Sequence, residues 1–296
     1  MAQDITILPI GLGCSRLGSV NGSTRSEAVR LLNLALDGGI RFFDTSNVYG
    51  QGESERILGK IAAHHNTCVI CTKGGRINSP RTHLVKPLKP LLRAAVRRSG
   101  KTRDRVKELR ARGLGARWDG RHLKRSIEQS LRRLRRECID IYLLHSPDAS
   151  VLRSGEATDA LDSALHQGLV ARIGASVDSP EAARAALEDP RLTVLQLPFR
   201  PLESSFDAVI SLATQKGVLL IAREIFQLPP FAPESSSFDY QLRLRRLLHD
   251  QPHALPLIGT LSEAHLKQAM IAAQAVTPAP AKPLFEIQAQ PTAARA

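Results

Sequence analysis

The chain has 296 residues, 43% of them hydrophobic, and a formal net charge of +13. This composition allows one large α/β domain or two small ones, and it excludes a spanning helix, because apolar runs such as residues 217–222 fall far short of the ~20 residues a membrane crossing needs. Cys14, Cys68, Cys71 and Cys138 are too few for a disulfide scaffold at this length. Met1-Ala-Gln-Asp-Ile5 carries no basic segment followed by an apolar core, so the cytoplasm is the expected compartment.

In chain order, residues 5–8 read as an entry strand and Gly11-Leu12-Gly13 as a glycine-lined turn. Ser23 to Glu27 offers capping chemistry for a helix whose Ala28, Leu31, Leu32 and Ala35 form one stripe, closed by Gly38-Gly39. A strand over 40–44 then ends on Asp44, a polar loop carries Tyr49, and a helix follows over 53–63. The next strand, 67–73, ends on Lys73. Cys68 and Cys71 have the spacing of a redox or zinc pair, but strand residues three apart face opposite ways and no second such pair exists. They are read as buried thiols, and no metal site is expected.

The segment 81–117 holds thirteen Lys and Arg against Asp104 and Glu108, so it alone accounts for eleven of the thirteen net positive charges. It is one basic insertion on an otherwise nearly neutral molecule. Two readings stand, a solvated loop or a contact for an anionic substrate or partner. With no aromatic residue except Trp118 at its edge, it offers no base-stacking surface, and nucleic acid is not the expected partner.

A helix is predicted over 119–136, with Leu123, Ile127, Leu131 and Leu134 on one face, then a strand over 139–144 leading into His145. There follow a helix over 157–168, a strand over 171–175, a helix opened by Ser179-Pro180, a strand over 193–197, a helix over 206–216, a strand over 218–222, a helix over 238–249, an apolar run over 255–258 and a last helix over 262–275. Residues 277–296, with Pro278, Pro280, Pro283 and Pro291 among alanines and glutamines, read as a disordered or loosely docked tail to a single domain over 1–276. Such alternation requires parallel pairing with covering helices. An open doubly wound sheet fits locally, but about eight repeats and a length near the ~250 residues of the barrel class favour a (β/α)8 TIM barrel with the basic insertion between strand three and the following helix. In that fold Asp44, Lys73 and His145, each at the carboxyl end of a strand, converge on one mouth.

The run Phe43-Asp44-Thr45-Ser46-Asn47-Val48-Tyr49-Gly50, with Glu53-Ser54-Glu55 and Leu58-Gly59 behind it, resembles the signature of the aldo-keto reductase superfamily. Lys73 after Thr72, the run Ser126 to Leu134, and Asp140-Ile-Tyr-Leu-Leu-His145-Ser-Pro-Asp148 resemble the same family in the same order, and similarity continues through Ile173 to Ser176, Gln196 and Ile258-Gly259-Thr260. The resemblance implies a barrel that binds a nicotinamide cofactor across its mouth and moves hydride between it and a carbonyl or alcohol, with Asp44, Tyr49, Lys73 and His145 on the catalytic positions. In that scheme Lys73 lowers the Tyr49 pKa, Asp44 holds Lys73 charged, His145 orients the carbonyl and Tyr49 delivers the proton.

On the cofactor side, the resemblance assigns Ser176 and Gln196 to the nicotinamide carboxamide, with Val177 where asparagine is usual, and places Arg223 where an aromatic residue usually stacks on the nicotinamide. Gly259 and Thr260 and the helix start behind them match the stretch around the adenosine phosphate; His265 and Lys267 supply its basic groups, while Gln268-Ala269 replaces a customary Glu-Asn pair. NADP(H) is therefore expected over NAD(H), with a small carbonyl or sugar as substrate. The departures at Val177, Arg223 and Ala269 keep a second class open, a non-catalytic barrel that holds the cofactor and serves as a regulatory or scaffolding subunit.

Overall fold

A computed structural model describes residues 6–20, 22–65, 67–78, 114–201, 203–227 and 239–276. Eight strands close into an all-parallel barrel: β1 (Gly11–Gly13), β2 (Phe42–Asp44), β3 (Val69–Gly74), β6 (Ile141–His145), β7 (Ile173–Ser176), β8 (Val194–Pro198), β9 (Leu219–Arg223) and β10 (Ala254–Ile258). The short strands β4 (Arg76–Asn78) and β5 (Leu114–Ala116) pair antiparallel outside it. Around the barrel run α1 (Arg25–Asp37), α2 (Glu53–Ala62), α3 (Gly120–Leu134), α4 (Ala149–Ser154), α5 (Glu156–His166), α6 (Pro180–Glu188), α7 (Asp207–Gln215), α8 (Tyr240–Asp250) and α9 (Glu263–Gln274).

The expected (β/α)8 barrel is the observed one. Helix starts follow the expected cap chemistry. Thr24 and Glu27 form a reciprocal capping box before α1, and Ser179 caps α6 with Pro180 at its first position. The helix expected over 157–168 is α5, and a short helix that was not expected, α4, precedes it, the two meeting at Gly155 with φ +79°.

The entry strand differs from expectation. Its place is taken by Gly11–Gly13 rather than residues 5–8, and β-propensity could not have shown it. Gly11 pairs with Phe42 on one side and Leu257 on the other, and an added Cβ would stand 2.7 Å from the Phe42 ring and 2.8 Å from Leu257. A residue that reads as a turn is required because two large side chains fill the barrel beside it. Residues 79–113, most of the basic insertion, and the tail from 277 lie outside the described residues.

Strand parity positions the site. Phe42, Val69, Cys71, Ile141, Leu143, Val194, Leu219, Ile221, Leu255 and Leu257 form one apolar cluster, distinct from the larger core between strands and helices. They occupy alternate positions and fill the barrel interior, as layers of branched side chains do in this fold. Two residues further along the same inward face stand Asp44, Lys73, His145, Gln196 and Arg223, while Ser176 closes β7 beside them. The interior is apolar until its last layer, and that layer is polar.

Candidate active site

The last layer opens into a cleft of about 460 Å³ lined by, among others, Gly13, Asp44, Tyr49, His145, Ser176, Gln196, Arg223 and Gly259. Beneath it lies a buried ion pair. Lys73 Nζ, 1% exposed, donates to Asp44 Oδ1 at 2.6 Å and to the Thr45 carbonyl at 2.9 Å. Burial alone would depress the Lys73 pKa, but Asp44 in the first place, then Tyr49 and Cys71, hold it above the ordinary lysine range. The ammonium sits 5.3 Å from the centre of the Tyr49 ring.

Tyr49 comes from the single 3-10 turn after β2, at Tyr49–Gln51, where Gly50 and Gly52 take positive φ and aim the ring back over the mouth. Its ring meets the His145 imidazole edge to face, with centroids 5.7 Å apart. The expected depression of its pKa is not the net result. Burial is the largest influence and raises the phenol above its ordinary value, while Lys73 and Arg223 pull it down and Asp44 pushes it up. The phenol is thus protonated at neutral pH. His145 is held well below the ordinary histidine range, by burial first and then by Lys73, Arg76 and Arg223, so its ring is neutral.

Ser176 and Gln196 do come together, but with each other. Ser176 Oγ donates to Gln196 Oε1 at 2.8 Å, and Gln196 Nε2 donates to Asp44 Oδ1 at 2.8 Å, which ties the amide pair to the buried ion pair. Arg223 lies in the cleft with its guanidinium framed on several sides: it donates to the Val177 carbonyl at 2.7 Å and pairs with Asp178 and Glu224. Glu224 in turn accepts from Arg200 at 2.7 Å. Gly259 lines the cleft, and Arg16 donates to its carbonyl at 3.0 Å. Thr260 Oγ1 accepts from Ser262 N at 3.0 Å at the start of α9; His265 and Lys267 are exposed on that helix, and none of the three lines the cleft.

Several side chains at the mouth escaped the sequence reading. Ser46 Oγ lies 2.9 Å from His145 Nδ1, and Arg76 on β4 donates to the His145 and Ser146 carbonyls at 3.3 and 3.2 Å. Asn47 Nδ2 ties back to the Arg76 carbonyl at 3.0 Å. Trp118 covers Gly75, at φ +94°, so closely that a Cβ there would reach 1.9 Å from its ring. Asp178 and Glu224, the partners of Arg223, carry no motif of their own. Ser46 could have been suspected, since it stands inside the motif that ends in Tyr49.

Three of the four cysteines are inert by position. Cys14, Cys68 and Cys71 are buried free thiols, and burial pushes Cys68 up to about 11. Among the described residues no His, Cys, Asp and Glu cluster could hold a metal ion, and no helix is long and apolar enough to cross a membrane.

A closed (β/α)8 barrel whose last inward layer is a ring of polar side chains is the architecture on which barrel enzymes build their sites. The chain belongs to the aldo/keto reductase family, whose model matches residues 9–263. It is similar to the 6-dehydroglucose reductase of Novosphingobium aromaticivorans, 29% identical over 58% of this chain and 48% of that protein. It is also similar to the D-threo-aldose 1-dehydrogenase of a Pseudomonas species, 28% identical over 66% of this chain and 58% of that one. The chain thus spans about half the length of these curated relatives. Among solved structures, an aldo-keto reductase from Klebsiella pneumoniae in complex with NADPH shares the fold, with a TM-score of 0.67 at 18% identity over 92% of this chain and 88% of that one.

Proposed function

We propose that the chain is an NAD(P)H-dependent oxidoreductase that reduces a carbonyl to an alcohol, and the reverse, with Tyr49 as general acid and base. The observation that carries this reading is the Tyr49 phenol and the His145 imidazole lining one cleft, their ring centres 5.7 Å apart, over a buried Lys73–Asp44 pair. A bound reduced nicotinamide supplies the hydride. The residues fit that group: the Ser176–Gln196 pair retains hydrogen-bonding capacity for a carboxamide, and Gly13 and Gly259 leave the adjoining wall without side chains. Arg223, fixed by Asp178 and Glu224, presents a flat cation whose charge is largely offset, which suits it to lie against a ring.

In this scheme His145 donates to the substrate oxygen and orients the carbonyl, and Tyr49 passes its proton to that oxygen. Lys73 stays charged and favours the phenolate left behind. Ser46 sets the tautomer. Of the acceptors within reach of its hydroxyl, His145 Nδ1 at 2.9 Å is nearest, against Asn47 Oδ1 at 3.1 Å and the Lys73 carbonyl at 3.5 Å. Donation from Ser46 to Nδ1 leaves the ring proton on Nε2, the form that can donate. Ser46→Ala is expected to lower kcat for carbonyl reduction about fivefold, the worth of roughly 1 kcal/mol for one hydrogen bond. Cofactor affinity should stay unchanged, and Ser46→Thr should restore most of the rate; equal losses in both variants would assign Ser46 to packing instead.

NADP(H) is the favoured cofactor on two supports, the basic pair His265 and Lys267 at the start of α9 and the NADPH named in the Klebsiella pneumoniae complex. Replacing both residues by alanine is expected to weaken NADPH binding about tenfold, as befits a charge-assisted phosphate contact, and to leave NADH alone. Equal weakening of both cofactors in fluorescence titrations would remove the pair from the 2′-phosphate. The relatives' names, a dehydroglucose reductase and an aldose dehydrogenase, support a small polyhydroxylated carbonyl as substrate. A panel of aldehydes, ketones and aldoses with NADPH and NADH, followed by nicotinamide absorbance, tests the whole reading. Cofactor binding without turnover on any member would leave the non-catalytic barrel standing.

A further inference from the structure

A second cavity, of about 330 Å³, shares no lining residue with the cleft. It lies where α2 packs on the end of α3, with the start of α1 beside it. Arg56 and Lys60 face it from α2, Arg132 and Arg133 from the last turn of α3, Arg135 from the cap just beyond, and Arg25 from the first residue of α1. One carboxylate, Glu53, completes the wall, and it pairs loosely with Arg56 at 3.6 Å. Arg133 is engaged elsewhere, donating to the fully buried Glu55 at 2.5 Å and to Ser130 at 3.2 Å. Arg25, Lys60, Arg132 and Arg135 make no ion pair among the described residues, and all four are exposed.

Helix stability accounts for part of this set only. Arg132 and Arg133 stand at a helix carboxyl end, where a cation is favourable, but Arg25 stands at the amino end of α1, where it opposes the helix dipole. Arg135 holds φ +57°, a left-handed conformation that glycine or asparagine takes more readily, and so keeps a guanidinium at the rim where a smaller residue would cap the helix better. Like charges around one concavity repel, and the arrangement becomes favourable when an anion enters.

We propose that this cavity binds a compact organic polyphosphate, a small molecule carrying two or more phosphate groups, independently of the cofactor cleft. Guanidinium forks match phosphate oxygens pairwise, and cations from three helices surround the ligand rather than track along it. An open-mouthed concavity of about 330 Å³, in the lower part of the small-ligand size range and walled by side chains from three helices, fits such a molecule better than a polymer backbone, which needs an extended groove.

The test is calorimetric titration of the full chain with tripolyphosphate, with and without saturating NADPH, alongside melting curves. The expected result is saturable one-to-one binding in both series, weakening as salt rises. Arg132→Gln with Arg135→Gln should cut the affinity at least about tenfold, two charge-assisted contacts being lost, and should abolish the rise in Tm with tripolyphosphate. The unliganded Tm should change little, because relief of the repulsion offsets the loss of the Arg132 cation at the helix end. The proposal is overturned if the double variant binds as the wild type does, or if sodium chloride at equal ionic strength raises Tm as much. It is equally overturned if tripolyphosphate binds only without NADPH, which would place it in the cleft, or if single-stranded oligonucleotides bind with many ions per chain, the behaviour of a polymer surface. None of these readouts depends on the proposed oxidoreductase activity.

Discussion

Replacing Tyr49 by phenylalanine is expected to lower kcat for carbonyl reduction by about 10² to 10⁴, the usual contribution of a positioned proton donor. The variant keeps the ring, its edge-to-face contact with His145 at 5.7 Å and its place above Lys73, and loses only the hydroxyl. Cofactor affinity should therefore change little. The pH profile gives a sharper test than the rate. Burial raises the Tyr49 pKa against the pull of Lys73 and Arg223, so the phenol is protonated throughout the neutral range. Reduction uses that proton and should run on a plateau through neutrality, whereas alcohol oxidation needs the phenolate and should rise with pH toward and beyond the ordinary phenol range, near 10. His145 adds no limb near neutrality, because it is held neutral until well below 6.5. A wild-type rate in the variant, or an oxidation rate indifferent to pH, would remove Tyr49 from proton transfer.

Much of this site was legible because the barrel converts sequence position into spatial position. Asp44, Lys73 and His145 end apolar runs, and in a parallel barrel the ends of neighbouring strands meet. What stayed hidden is whatever depends on side chains finding one another across the mouth. Gln196 lies at a strand end as well, but that its amide would join Asp44 to Ser176 follows from strand register, which no spacing shows. Arg223 reads as a cation in an aromatic's place; its pairing with Asp178 and Glu224 is visible only once two loops adjoin. The sign of the Tyr49 shift failed for a related reason. The sequence places a lysine nearby but cannot weigh its charge against burial, and burial wins. The glycine strand β1 and the antiparallel pair β4 and β5 were missed because short segments take strand form from their neighbours rather than from their own residues.

Lys73→Met is expected to cost both stability and rate, and the reasons separate. The Lys73 and Asp44 side chains are 1% and 7% exposed and meet at 2.6 Å, so removing the cation leaves a buried carboxylate supported chiefly by Gln196. Loss of one partner from such a pair typically costs about 3–5 kcal/mol. Because the Lys73 pKa is raised, the pair's contribution is fully present below the ordinary lysine value of about 10.4 and is lost only as pH climbs through the higher folded value. The deficit of the variant should hence be constant through neutrality. Adding Asp44→Asn removes the uncompensated charge, so the double variant should recover a large part of the stability, with a coupling energy of at least about 1 kcal/mol in the cycle. Activity should not return with it, because Tyr49 still lacks the ammonium that favours its phenolate. Denaturant melts of the four proteins, paired with alcohol oxidation across pH, read both effects. Additive stabilities would deny the pair its structural role, and recovery of oxidation in the double variant would deny Lys73 its electrostatic hold on Tyr49.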